Sequence, residues 1–366
     1  MVFLALMTAL AAGLMLRDPR HRRFEPGLLA GLVAFGCGGV LALVSALDAA
    51  SALRYLALAV GPWLFFVVGR GAGPLAVDVW ARGLIVAALV PLGVDLWSWW
   101  NGDWMGVNAL PRLVGAYSDP HPHATALWVF GCASVWVGCR ERGAWQWLAV
   151  GVGLVAVAAL WLVWVRTVQA MVVVAALVGF AHQRRWRWVL GTCALVALAL
   201  GLSSTLRERF SDLVMLGQAV GGESNLKTFG SNRGHIWMDV GQGMWESGPM
   251  GWFFGLGAGA ERTLHRSLDP HSDVLSLWVQ GGVCAATGWI LAIGSAARGA
   301  GARDSWQRSV SVAVAASVLL AASVSNDVWS HLLLVWWTWA VWGALQQQPR
   351  TGSGSERDGE VVIEPA

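Results

Sequence analysis

The run "LAVGVGLVAVAALWLVWV" at 148–165 carries no charge and shows no alternation of apolar with polar residues. Similar apolar runs recur along nearly the whole chain, each near the roughly 17–25 residues that a helix needs to cross a bilayer. In lipid, backbone N–H and C=O groups must be satisfied within the segment or by a closed sheet, so only a helical bundle or a barrel is possible. Barrel strands alternate lipid-facing and lumen-facing residues, and these runs do not. Only 13% of the 366 residues are charged, against about a quarter in soluble domains. The chain therefore reads as all-α, a polytopic transmembrane helical bundle of about 11–12 helices.

Helices are expected at about 2–16, 28–47, 52–69, 79–99, 123–138, 145–165, 167–181, 188–204, 273–297, 309–325 and 329–346. This divides the chain into an N-terminal bundle (1–204), a large loop carrying amphipathic helices (205–272), C-terminal transmembrane helices (273–346) and a polar tail (347–366). The tail, Gly/Ser-rich and acidic, reads as disordered. Residues 1–16 lack a basic n-region and a cleavage site, so they read as a first helix and not a signal peptide.

Arginines set the orientation, because short cytoplasmic loops collect Lys and Arg. With the N-terminus outside, 16 of the 25 basic residues fall on the inner side or in the tail. The short outer loops keep only Arg54, Arg112 and Arg166. The two largest non-membrane segments, 101–122 and 205–272, then share the outer face, where function is expected. A net charge of +3 gives no footprint for nucleic acid. Five cysteines without a CxxC pair give neither a disulfide framework nor a zinc site, and no cofactor is expected.

Several outer-face residues stand out. Arg166 is the single charge between Leu148 and Phe180, and an ionisable group at membrane depth is a functional candidate; the bland alternative is a turn arginine snorkelling to headgroups. Arg233 opens "RGHIWMDVGQGM", where Ile236, Trp237, Val240 and Met244 recur at helical spacing. The expected amphipathic helix covers 233–246, with Arg233 at its start, where the helix dipole disfavours a cation unless an anion binds nearby. Trp237 on this helix is taken as substrate-facing. Gly255, Gly257 and Gly259 form no dinucleotide fingerprint, since no strand precedes them; they read as a tight turn or a close approach of backbone to ligand. His271 and Asp273 close the loop. The histidine can take a proton near neutral pH, as a general base must; Ser272 or Asp273 can cap the next helix, and Asp273 is also taken as a substrate contact. His121 and His123 in "SDPHPH" read as outer-face substrate contacts, since the four-ligand spacing of a metal site is absent.

The ordered set "VRTVQA", "LRERF", "SNRGHIWMDV", "GPMGWFFGLGAG" and "DPHSDVLSLWVQGGVCAATG", spread over about 112–290, resembles the bacterial O-antigen ligase and O-antigen polymerase family of integral membrane glycan transferases. That family has an arginine at the outer end of a helix, a second arginine before an Ile–Trp pair, a Pro/Gly-rich turn, and a histidine leading a helix with a Gly-rich end. Arg166, Arg233 and His271 match the three charged positions in order. The resemblance implies inverting, metal-independent glycan transfer from undecaprenyl diphosphate on the periplasmic face of the bacterial inner membrane. The acceptor is a lipid-linked glycan for a polymerase or lipid A–core for a ligase. Guanidinium forks suit a diphosphate leaving group, and His271 would activate the acceptor hydroxyl. The lean is slightly towards polymerase, because the large loop lacks an obvious basic surface for a phosphorylated core. A polysaccharide flippase or transporter is the rival reading; it predicts polar or broken helices near the midplane.

Overall fold

The structure is a computed structural model that describes residues 26–107, 110–113, 115–116, 119–204, 206–207, 223–264, 272–300, 304–325 and 332–346. The helix expected at 2–16, His271 and the tail lie outside these residues. The elements are α1 (Pro26–Val44), α2 (Ala49–Ala72), α3 (Pro74–Asn101), a hairpin of β1 (Trp104–Val107) and β2 (Leu110–Leu113), α4 (Pro120–Arg140), α5 (Ala144–Val163), α6 (Arg166–His182) and α7 (Trp186–Leu202). After these come α8 (Glu223–Glu246), α9 (Gly248–Phe254), α10 (Glu261–Leu264), α11 (Asp273–Gly299), α12 (Ser305–Val324) and α13 (Leu332–Leu345). Helices α1, α2, α3, α5, α11 and α12 are each long and apolar enough to cross a membrane. Large apolar side chains such as Leu75, Val90, Leu154 and Leu202 point outward, exposed. Water would not tolerate so much apolar surface, and lipid does. The chain is a helical membrane protein.

Helix starts follow local chemistry. The Asp48 carboxylate accepts the Ser51 amide at 2.7 Å, Asp119 that of His121 at 2.9 Å and Asp304 that of Trp306 at 2.8 Å. Each thereby satisfies a donor that has no partner within its helix.

Small residues set the packing, since lipid supplies no hydrophobic drive between helices and close backbone contact must replace it. In the antiparallel pair α1–α11, Gly31 lies on the Gly288 and Ala292 backbone and Gly38 on Gly281 and Ala285. In α2–α13 the contact is reciprocal: a Cβ on Gly69 would strike the Ala340 carbonyl, and one on Gly343 the Phe66 carbonyl. Gly343→Val is therefore expected to force the pair apart. Overpacking typically costs about 1–3 kcal/mol, read as a lowered Tm of the detergent-extracted protein, whereas valine at Gly93, which meets nothing within 4 Å, should be tolerated.

One end of the bundle is tied by ions and indoles. Arg82 binds Glu141, with Nε at 3.1 Å, and lies over the Trp145 ring. Arg140 reaches Asp78 at 3.3 Å and Asp304 at 4.0 Å and stacks on Trp136, whose Nε1 donates to Asp78 at 2.7 Å. Asp78 and Arg82 of α3 thus have partners on neighbouring helices.

The opposite end carries the hairpin and the segment α8–α10. This segment packs on α11 through a small core of Ile236, Val240, Met244, Ala260 and Val279. A backbone strap fastens it. The amides of Leu256 and Gly257 donate to the Val279 and Gln280 carbonyls at 2.7 and 3.1 Å. Ala258 donates to Ala42 and accepts from Leu47. Gly257 has φ +103° and abuts the Ser45 carbonyl, leaving no room for a side chain. Gly282 breaks α11, with φ +73° and the Phe253 carbonyl against its Cα. The glycine run is therefore a close approach of backbone to backbone.

Candidate functional site

Arg166 is the first residue of α6, after a two-residue turn in which Trp164 adopts φ +58°. The helix runs antiparallel to α12: His182 Nδ1 meets Ser309 Oγ at 2.8 Å, and Gly179 faces Ala313. Continued along both helices, this register brings the half-buried Arg166 level with the end of α12 at Val324 and Ser325.

That helix end is the hub of the candidate site. Its last carbonyls have no intrahelical partners, and three separate groups take them. The Arg233 guanidinium donates to the Val324 carbonyl. Ser272 Oγ donates to the Ala322 carbonyl at 3.3 Å, and the Asp273 amide to the Ser325 carbonyl at 3.1 Å. The negative pole of a helix C-terminus suits a cation, which explains why an arginine half-buried in an apolar layer is tolerated there. The expectation that Arg233 begins its helix is corrected: α8 starts at Glu223, so Arg233 lies inside it, and the opposing dipole is that of α12. Arg233 and Trp237, one helical turn apart, lie on the side of α8 that also carries Ile236, Val240 and Met244.

His271 lies outside the described residues, and its neighbours fix where the chain resumes. Ser272 is the N-cap of α11, its hydroxyl accepting the Leu275 amide at 3.3 Å. Of the two residues that can cap, the serine does so. Asp273, read from sequence as a substrate contact, is the first residue of α11 and wholly buried, where its negative charge favours the helix N-terminus.

The histidine pair divides. His121, in the first turn of α4, is half-buried. His123, expected at the outer surface, is instead buried: its Nε2 meets Asp95 Oδ2 of α3 at 2.9 Å, both side chains being at most 2% exposed. Asp95 Oδ1 accepts the Ala116 amide at 3.1 Å, and Gly115 packs directly on the imidazole. The pair secures the chain just after the hairpin against α3 and α4. Asp95 precedes His123 by 28 residues, across the end of α3 and the hairpin, so no local motif announces the pairing.

Among the described residues no group of three His, Cys, Asp or Glu could hold a metal, and all five cysteines are free. A largely apolar cavity between α3, α4, α12 and α13, lined by Val77, Cys132, Trp136 and Leu345, reaches towards the ion-paired end, away from Arg166 and Arg233. Chemically, the hub holds the Arg233 guanidinium, with five N–H donors in a planar fork, beside the start of α11, and Arg166 stands level with it on α6. No family model matches this chain, and no curated protein matches its sequence.

Proposed function

We propose that this chain is a glycan transferase of the O-antigen polymerase and ligase type, moving a glycan from undecaprenyl diphosphate to an acceptor sugar hydroxyl with inversion and without a metal. On this reading it spans the bacterial inner membrane with about 11–12 helices, the N-terminus and the loop at 205–272 lying on the periplasmic side. One observation carries the reading: Arg233 and the residues adjoining His271 meet at the end of α12, level with Arg166. Those are the three positions that a diphosphate donor and an acceptor base require. Arg166 and Arg233 bind the diphosphate, and His271 takes the proton of the attacking hydroxyl. The bond from the anomeric carbon to the diphosphate oxygen breaks as the new glycosidic bond forms, and the negative charge departing with the diphosphate is held by the guanidiniums. Trp237 and His121 border the sugar. A lipid-linked glycan is favoured as acceptor over lipid A–core, because the sequence of the loop shows no obvious large basic surface for a phosphorylated core.

The break of α11 at Gly282 favours the rival transport reading, since transporters bind ions at interrupted helices. Here the carbonyls freed next to the break are occupied by the amides of Leu256 and Gly257, so they do not face an ion path.

The test is transfer by the purified protein in liposomes containing an undecaprenyl diphosphate-linked glycan. Product is expected with that donor alone, and a chelator should change the rate by less than about twofold, since the reaction draws on guanidiniums for what a metal otherwise supplies. Activity lost to chelation and restored by one divalent ion would overturn the metal-independent mechanism. Absence of product with either acceptor would overturn the transferase itself.

A further inference from the structure

At the ion-paired end, the molecule treats its cations in two ways. Arg82 and Arg140 are matched by Glu141, Asp78 and Asp304 and covered by indoles. The turn from α6 to α7, "QRRWRW" at 183–188, does the opposite. Arg184, Arg185 and Arg187 are all exposed, and none has an ion-pair partner among the described residues. Between and beside them Trp186 and Trp188 are 62% and 52% exposed. Phe180 stacks on Trp188 at 6.0 Å and holds that ring at the helix end. The end of α6 and the start of α7 lie side by side, so their dipoles offset and the guanidinium charges dominate locally. Helix α7 buries none of its residues, so its apolar length is open to lipid chains.

We propose that this turn is a binding site for an anionic glycerophospholipid, the phosphate lying among Arg184, Arg185 and Arg187 and the acyl chains along α7. Three features point to this occupant and not to a soluble partner. Tryptophan settles at the headgroup level of a bilayer, which sets the arginines at phosphate height. Guanidinium forks pair with phosphate oxygens. The apolar flank begins directly beneath the charges, as the chains of a phospholipid begin beneath its phosphate. The site stands independently of the glycan-transfer reading, because it lies at the other end of the bundle and its test does not read activity.

The experiment titrates the detergent-purified full-length protein with phosphatidylglycerol or phosphatidylcholine of identical chains and counts retained lipid by native mass spectrometry. The wild type should hold phosphatidylglycerol more tightly than phosphatidylcholine. The triple variant R184Q/R185Q/R187Q should bind phosphatidylglycerol about a hundredfold more weakly, from roughly fivefold per arginine lost. The triple lysine variant, which keeps the charge, should retain most of the preference and controls for folding. Soluble glycerophosphoglycerol should not compete at concentrations where the lipid saturates. The proposal is overturned if the glutamine variant holds phosphatidylglycerol as the wild type does, or if the wild type holds both lipids equally. It is also overturned if the soluble headgroup competes as well as the lipid, which would make the turn a plain phosphate site.

Discussion

Arg233→Lys is expected to keep the protein folded and to lose glycan transfer by about 10²–10³-fold, the usual effect of removing one preorganised donor from a developing charge. The two roles of this arginine make lysine the informative change. A lysine ammonium still places positive charge at the C-terminus of α12 and still has a proton to give the Val324 carbonyl that Arg233 now bonds. It lacks the planar fork that grips two oxygens of a diphosphate. Stability and chemistry should therefore separate: a Tm near that of the wild type together with a collapse in rate. Arg233→Ala removes both functions. It should add a loss of about 1–3 kcal/mol in stability, the usual cost of stripping a half-buried carbonyl of its partner. Lysine at Arg166, the residue level with the same helix end, should likewise fail to rescue transfer, because it lacks the fork. Near-wild-type product from Arg233→Lys would reduce the residue to a helix cap and remove it from the reaction.

His271→Ala should lower transfer by about 10²–10⁴-fold, the range that a positioned general base contributes, while Tm is unchanged. Ser272 caps α11, and the Asp273 amide is bonded to Ser325, so the described chain resumes at the end of α12, where Arg233 is held. His271→Gln, which can hydrogen-bond an acceptor hydroxyl but cannot take its proton near neutral pH, should recover little. The rate of the wild type should fall on the acidic side as the imidazole becomes protonated, and the residual activity of the alanine variant should lose that limb. Full-length glycan from His271→Ala in the reconstituted assay would exclude the general-base role.

Much of the architecture was legible because a bilayer makes the constraints local. Each spanning segment must satisfy its own backbone, so an unalternating apolar run such as 148–165 dictates a helix wherever it falls, and α5 covers Ala144–Val163. The break at Gly282 could not be read, since a glycine among apolar residues looks like any small packing residue until another segment is seen against it. The same limit applies to charge. Sequence singles out Arg166 by its isolation and Arg233 by the amphipathic period that follows it, but misplaces Arg233 at a helix start because the apolar period begins at Ile236 while α8 extends back through a polar stretch to Glu223.

What the sequence by itself determined, then, is the class of molecule, the position of its described spans and the short roll of charged residues with no apolar excuse. Only the tertiary structure decided what those residues meet. It paired Asp95 with His123 and buried what the sequence offered as a surface contact. It matched Asp78 and Arg82 across helices, and it gathered Arg233, Ser272 and Asp273 at the carbonyl end of α12. The physical reason is that a helix end is defined by the bonds it lacks. Those vacancies have no residue type of their own, and only the approach of distant segments reveals which side chains fill them.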